Sequence, residues 1–320
     1  MKKRTTLIIL GILVALVGIS QAQTPIPMDT THWKVEANAH LWETYHGQEA
    51  IYIQGGVIAL KDVEFLNGTI EFDLFLKQEQ AFPGVYFRVQ EEELNGEQFY
   101  IRPHLPGKED ANQAVPYTQG ITAWQLYFGP SYSFPYEYKY DDWTHVKIVV
   151  KDQAAQVFLD YAEWPQLSWE LTHPAKAGRV YLSGGNRSGL HISNVTVNTE
   201  TPTLVDYAPI TKEPLEGLVQ EWEISDKFEE SALDDLDDLE ALIADRNWQG
   251  TLAIEQGTAA NISRIQRLRD GEPGNTVFVK VTLSARAAKT VLFEFGYSDR
   301  AVVLLNGQPL YRGTNGYRTR

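Results

Sequence analysis

Residues 65–104 read FLNGTIEFDLFLKQEQAFPGVYFRVQEEELNGEQFYIRPH, and three short runs inside that stretch alternate apolar with polar side chains. Ile70, Phe72, Leu74 and Leu76 fall on one side, Glu71 and Asp73 on the other. Val85, Phe87 and Val89 alternate with Tyr86, Arg88 and Gln90. Phe99 and Ile101 alternate with Gln98, Tyr100, Arg102 and His104. A period of two means strands with one packed face and one free face. Working outward, further short runs follow: TAWQLYF (Thr122 to Phe128), THVKIVVK (Thr144 to Lys151), AQVFLD (Ala155 to Asp160), GRVYLSG (Gly178 to Gly184) and LHISNVTVN (Leu190 to Asn198). Gly, Pro, Asn and Asp clusters separate them, and no helical periodicity intervenes. That pattern predicts an all-β sandwich spanning residues 23–199.

The ends of the chain read differently. Lys2, Lys3 and Arg4 precede an apolar run from Leu7 to Ile19 and an exit at Ser20-Gln21-Ala22. This is the layout of a cleaved export signal, residues 1–22, and the run falls short of the ~20 residues of a spanning helix. Export to the periplasm, cell surface or medium is expected, with no membrane insertion after cleavage. Residues 200–216 hold three prolines and little periodic pattern, as a linker does. Beyond them, Leu233, Leu236, Leu239, Leu242 and Ile243 recur at helical spacing. Strands return in TVFVKVTLSA, TVLFEFGY and AVVLLNGQPLYRG, where Asn306-Gly307 marks a hairpin. Residues 217–320 therefore read as a second, mainly β domain. It has few strands for two covering sheets, so either its last segment docks on the first domain or the domain is incomplete.

Composition narrows the partners. The formal charge is −14, and removing the basic leader makes the mature chain more acidic still. Nucleic acid is an unsuitable partner for such a chain. With no cysteine the folds must be held by buried cores. The seven histidines show no metal-ligand spacing, Asp234, Asp235, Asp237 and Asp238 lack the glycine and terminal Glu of a calcium loop, and no phosphate or dinucleotide fingerprint occurs. No metal or cofactor is expected.

Two groups of candidate site residues remain. Glu71 and Asp73 are paired carboxylates on a strand, the equipment of glycoside hydrolysis, although the positions after Asp73 are Leu74, Phe75, Leu76 and Lys77 and supply no second Glu. The alternative is cross-strand ion pairing with Arg88 or Arg102. Arg88, Gln90, Gln98, Tyr100, Arg102 and His104 share the free face if residues 81–90 and 97–104 pair, and Gln125 is a further candidate ligand residue. Forked donors with aromatic rings suit vicinal hydroxyls, so a carbohydrate ligand is expected there. The aromatic span from Tyr127 to Trp143 reads either as a stacking rim or as a plug over the sandwich.

NGTIEFD, GVYFRVQ, FYIRPH, AWQLYFG, WTHVKIVVKDQAAQVFLD and GRVYLSG together resemble the concanavalin A-like lectin/glucanase superfamily, in its laminin-G-like and keto-disaccharide-hydrolase-like branch. The resemblance runs from Trp33 to Val197. It implies a jelly-roll β-sandwich and a carbohydrate-binding role, with glycoside hydrolysis or a cell-surface protein interaction as the alternatives. FGYSDRAVVLLNGQPLYRG resembles the central hairpin of a galactose-binding-like β-sandwich.

Overall fold

The computed structural model describes residues 24–185, 188–213, 215–234, 239–269 and 271–316. The expected export signal and the acidic positions Asp235, Asp237 and Asp238 lie outside them. The chain opens with a long hairpin of β1 (Trp33–Tyr45) and β2 (Gln48–Leu60), turning at His46 and Gly47, both with positive φ. There follow β3 (Gly68–Leu76), β4 (Gly84–Gln90), β5 (Asn95–Ile101), β6 (Asn112–Thr118), β7 (Ile121–Thr122), β8 (Asp142–Lys151), β9 (Ala154–Leu159), β10 (Leu167–Glu170), β11 (Arg179–Ser183) and β12 (Leu190–Asn198). All pair antiparallel in the order β10-β9-β8-β3-β12-β2-β11-β4-β5-β6-β7, with β1 on β2.

One strand serves both layers of the sandwich. Residues 50–53 of β2 pair with β12, whereas residues 57–59 pair with β11. Between them Gly55 and Gly56 take φ of 58° and 123°. A Cβ at Gly56 would lie 2.1 Å from the Glu36 carbonyl oxygen, so only glycine lets β1 pass this close while β2 turns. Ile51, Ile70, Phe72, Leu74, Val146, Ile148 and Val157 of one layer then face Ile58, Val85, Phe87, Phe99, Val180 and Leu182 of the other across a single apolar core. Phe72, Phe87 and Phe99 are fully buried in it, each burial contributing ~1.5–3 kcal/mol.

Ile70, Phe72 and Leu74 of β3 and Val146, Ile148 and Val150 of β8 face the core as expected, and the β8–β9 turn falls at Asp152-Gln153. In β5 Phe99 and Ile101 face the core, but the opposite face is not free: Gln98 and Tyr100 are buried too. TAWQLYF is different: only Thr122 belongs to a strand, and the rest forms a turn. The aromatic span behaves mostly as a plug. Tyr127, Tyr132 and Tyr138 are buried, and Phe134, Tyr136 and Tyr140 pack against the core.

No strand or helix occurs among the described residues between Asn198 and Glu221. Beyond lie a sheet of β13 (Glu221–Ser225) between β14 (Trp248–Ala253) and β15 (Val279–Lys280), a short helix α1 (Leu239–Ala244), and the hairpin β16 (Asp299–Leu305) with β17 (Gln308–Asn315). The hairpin turns at Asn306-Gly307 as expected, both residues having φ > 0. Its Val302 and Leu304 pack on Phe228, Leu233 and Leu239. Residues 291–295 form no strand. No neighbouring edge pairs with them, and Leu292 is 81% exposed. Within 276–285 only Val279 and Lys280 are in a strand. Among the described residues no helix is long and apolar enough to cross a membrane.

Gly56→Ala should destabilise the chain by more than ~1 kcal/mol, since it adds a clash to a φ that alanine avoids. A lower urea midpoint at unchanged slope is the expected result. An unchanged midpoint would mean that the β2 kink needs no glycine.

Candidate functional site

The two layers present two different outer faces. On the first, the β3–β8 register sets Asp73 opposite His145 and Glu71 opposite Lys147. His145 Nδ1 lies 2.7 Å from Asp73 Oδ1 and Nε2 lies 3.1 Å from Glu71 Oε2. With both ring nitrogens facing carboxylate oxygens, both carry protons and donate. Burial alone would depress the His145 pKa, but the hydrogen bonds and charges of Asp73 and Glu71 outweigh it and raise the value to about 9. Asn194 Nδ2 and Gln48 Nε2 donate to Asp73 Oδ2 at 2.8 and 3.3 Å, and Tyr161 stacks on the imidazole at 4.0 Å. The hydrogen bond from His145 holds the Glu71 pKa below its usual range, with Lys147 assisting against desolvation. A general acid needs the opposite shift. The carboxylates thus face an imidazolium, and neither Arg88 nor Arg102 is their partner. Beside them Tyr45 stacks on His191 at 3.5 Å, and His191 Nε2 meets Glu43 at 3.0 Å.

The second layer's outer face is covered. Tyr127 and Tyr132 pack on Tyr100 and Val115. Over them comes the chain near residue 260. Tyr127 Oη donates to Glu255 at 2.5 Å and accepts from Asn261 Nδ2 at 2.9 Å. Arg264 forks onto Glu255 at 2.6 and 3.0 Å and reaches Thr172 Oγ1 at 2.7 Å. Beneath this contact burial pushes Glu97 up to about 7, although the amides of Thr172 and His173 donate to it. Burial and the Arg264 charge push His173 down to about 4. The stability from Glu97 is complete below 4.5 and is lost as pH rises through about 7. That from His173 is complete above 6.5 and is lost as pH falls through about 4.

Within the covered face Arg102 is 5% exposed. Its Nη1 donates to the Asp110 carbonyl at 2.7 Å, and its Nη2 donates to Tyr100 Oη at 2.6 Å and to Gln113 Oε1. Its guanidinium carbon lies 4.7 Å from the Tyr100 ring centroid and 5.9 Å from that of Trp124. Gln113 in turn donates to the Trp124 carbonyl at 2.7 Å and to that of Tyr127, which bends residues 123–128 into a turn. Two residues on, past Pro103, His104 is half-buried with Phe82 edge-on at 5.3 Å. Its Nδ1 is buried without a hydrogen-bond partner among the described residues. Burial and the Arg102 charge lower its pKa, so the ring is neutral at pH 7, with one donor and one acceptor nitrogen.

The expected ligand residues therefore separate. Tyr100 and Arg102 form one cluster with His104 two residues on, and Gln125 is half-buried in the turn next to Trp124. Arg88 and Gln90 do not share that cluster. A bulge between Phe87 and Gln90, with Arg88 at φ 55°, turns the Arg88 side chain to the Leu66 carbonyl at 2.6 Å and to Asn67. Gln90 is held by the Ala177 carbonyl at 2.8 Å. Sequence reasoning missed Gln113, Trp124 and Phe82. Pro116 hid the strand that carries Gln113, and it sits where β6 bonds only β5.

No protein-family model matches the chain, and no curated protein matches its sequence. Among solved structures it is similar to the carbohydrate-binding module CBM66 from Bacillus subtilis, at 14% identity and a TM-score of 0.40, over 52% of this chain and 94% of that one. It is also similar to domain 4 of AbnA, a GH43 extracellular arabinanase from Geobacillus stearothermophilus, in complex with arabinotriose (13%, 0.32, 51% and 79%). Caenorhabditis elegans galectin LEC-6 gives 13%, 0.33, 52% and 99%. The chemistry of the site follows from this chain's own side chains.

A folded pKa raised from 6.5 to about 9 means that His145 adds stability that is full below pH 6.5 and lost as pH rises through about 9. His145→Gln should thus be markedly less stable than the native chain at pH 6, with the gap narrowing by pH 10 in urea titrations. A gap of equal size at both pH values would show that His145 is not an imidazolium in the fold.

Proposed function

We propose that the protein is an exported carbohydrate-binding protein whose glycan rests at the open margin of the second layer, over Trp124, His104 and Gln125. The observation that carries this reading is the buried Nδ1 of His104, which has no hydrogen-bond partner among the described residues, beside the Phe82 ring and two residues from Arg102, whose guanidinium lies 5.9 Å from the Trp124 ring. A buried polar atom without a partner costs ~1–3 kcal/mol, and a turn of the half-exposed imidazole that brings it to a ligand hydroxyl would remove that cost. The rings offer an apolar surface to the C–H face of a sugar, the neutral imidazole both donates and accepts, and Gln125 stands next to Trp124 in the same turn. Arg102 and Tyr100 act beneath as positioning residues, since their polar groups are engaged inside the protein. Carbohydrate polymers lie outside the cell, where the basic and apolar leader of residues 1–22 would deliver the chain.

The hydrolytic alternative on Glu71 and Asp73 has less support. Both carboxylates are counter-ions to His145, and the shift of Glu71 runs against proton donation. A protein-docking role draws on exposed apolar side chains alone, among them Phe128, Leu292 and Leu310.

A glycan array on the mature chain, followed by calorimetry with the best oligosaccharide, tests the proposal. His104→Ala and Gln125→Ala should each weaken binding roughly threefold to tenfold, the worth of one or two neutral hydrogen bonds, with little change in melting temperature. Arg102→Ala should instead lower the melting temperature. Native affinity in both the His104 and Gln125 variants would remove this margin as the site.

A further inference from the structure

We infer that a second carbohydrate-binding site lies in the cleft between Trp164 and the segment 205–210. The cleft has a volume of ≈ 320 Å³ and opens at the free edge of the first layer. Trp164 and Pro165 form one wall, Asp206 and Ile210 the other, with Ser168 of β10 and Pro130 completing it.

Both walls are held in place. Gln156 is fully buried and clamps the second wall with two bonds, Nε2 to the Val205 carbonyl at 2.6 Å and Val205 N–H to Oε1 at 2.9 Å. Tyr207 Oη donates to the Trp169 carbonyl at 3.0 Å. The first wall is set by Gln166, whose Oε1 accepts from the Leu159 amide at 3.0 Å. A cleft with fixed walls loses little conformational entropy when it is filled.

The lining chemistry fits a neutral sugar ring. Trp164 is 57% exposed, and no other ring packs on it among the described residues. The indole is a flat apolar surface of the width of a pyranose. Asp206 is exposed, and no cation lies within 4.0 Å of its carboxylate among the described residues. The left-handed φ of 41° at Asp206, directly after the Val205 clamp, holds the residue at the rim. Its oxygens accept from two hydroxyls of a sugar lying on the indole. Ser168 Oγ accepts from Gln156 at 3.0 Å, which leaves its own O–H to donate. The volume accommodates one or two sugar rings.

Other ligands fit less well. An alkylammonium ion selects a cage of several aromatic rings, and only one is present. A peptide strand added to the β10 edge would compete with the Tyr207 hydroxyl for the Trp169 carbonyl. Pro130 belongs to the same loop as Trp124 and Gln125, so the loop borders both proposed sites. Two weak sites on one chain can hold a polymer more tightly than either alone.

The test uses the full chain and its Trp164→Ala, Asp206→Asn and His104→Ala variants, titrated with maltose, cellobiose, xylobiose and lactose. Tryptophan fluorescence and calorimetry are recorded together. At least one disaccharide should quench the native fluorescence, and Trp164→Ala should abolish that quench and weaken its binding about tenfold or more. Asp206→Asn should weaken it too, whereas His104→Ala should leave it intact. This last arm separates failure of the cleft from failure of the His104 margin. The inference is overturned if no disaccharide gives a Trp164-dependent signal, or if tetramethylammonium or a polyproline peptide gives one and the sugars do not.

Discussion

Arg102 carries a positive charge almost wholly out of water, and no carboxylate lies within 4.0 Å of it among the described residues. Its charge is distributed over backbone carbonyls, the Tyr100 hydroxyl, the Gln113 amide oxygen and two aromatic faces. Hydrogen bonds from a charged donor are worth ~1.5–3 kcal/mol each, and a buried cation is tolerated only when such bonds are made. The geometry of the second layer's outer face follows from this need. The guanidinium orients Gln113, Gln113 captures the carbonyls of Trp124 and Tyr127, and the loop beyond folds down as a cover. Burial and, after it, this charge lower the pKa of His104 at its side.

Covering that face removes a broad polar sheet as a binding surface and leaves its margin. The covering is done by two separate segments, the aromatic loop and the Glu255–Arg264 clamp. The first layer is arranged differently. Its acidic outer residues converge on one imidazolium, which converts a row of like charges into a hydrogen-bonded triad that strengthens as pH falls from about 9 toward 6.5. Neither face is therefore an idle polar surface. Each uses its charged residues internally and exposes chemistry at its rim, at His104 and Trp124 on one side and at Trp164 and Asp206 on the other.

The sandwich was legible wherever local alternation and turn chemistry decide the outcome. Ile70 to Leu76, Val146 to Val150, the Asp152 turn and the Asn306-Gly307 hairpin all follow period-two reading or left-handed turn preference. Three things were not legible, each for a physical reason. Arg88 lies in a bulge, where one extra residue rotates the side chain off its expected face. The turn at 123–128 depends on Gln113, a side chain on another strand, so its own apolar composition misleads. The burial of Tyr100 depends on Tyr127 and Tyr132 of a later loop, and Tyr127 is in turn held by Glu255 and Asn261, more than a hundred positions on. Of the site, the Tyr100–His104 core could be read from the alternation in β5, whereas Trp124 and the Trp164 cleft required the fold.

A crystal structure of the chain soaked with the oligosaccharide that binds most tightly tests the central claim most directly. The account predicts a sugar ring against Trp124, with a hydroxyl within hydrogen-bond distance of a nitrogen of the turned His104 ring and the Arg102–Gln113 bond unbroken beneath. A bound sugar with the His104 margin empty, or one that displaces the aromatic loop to reach Arg102 itself, would contradict it.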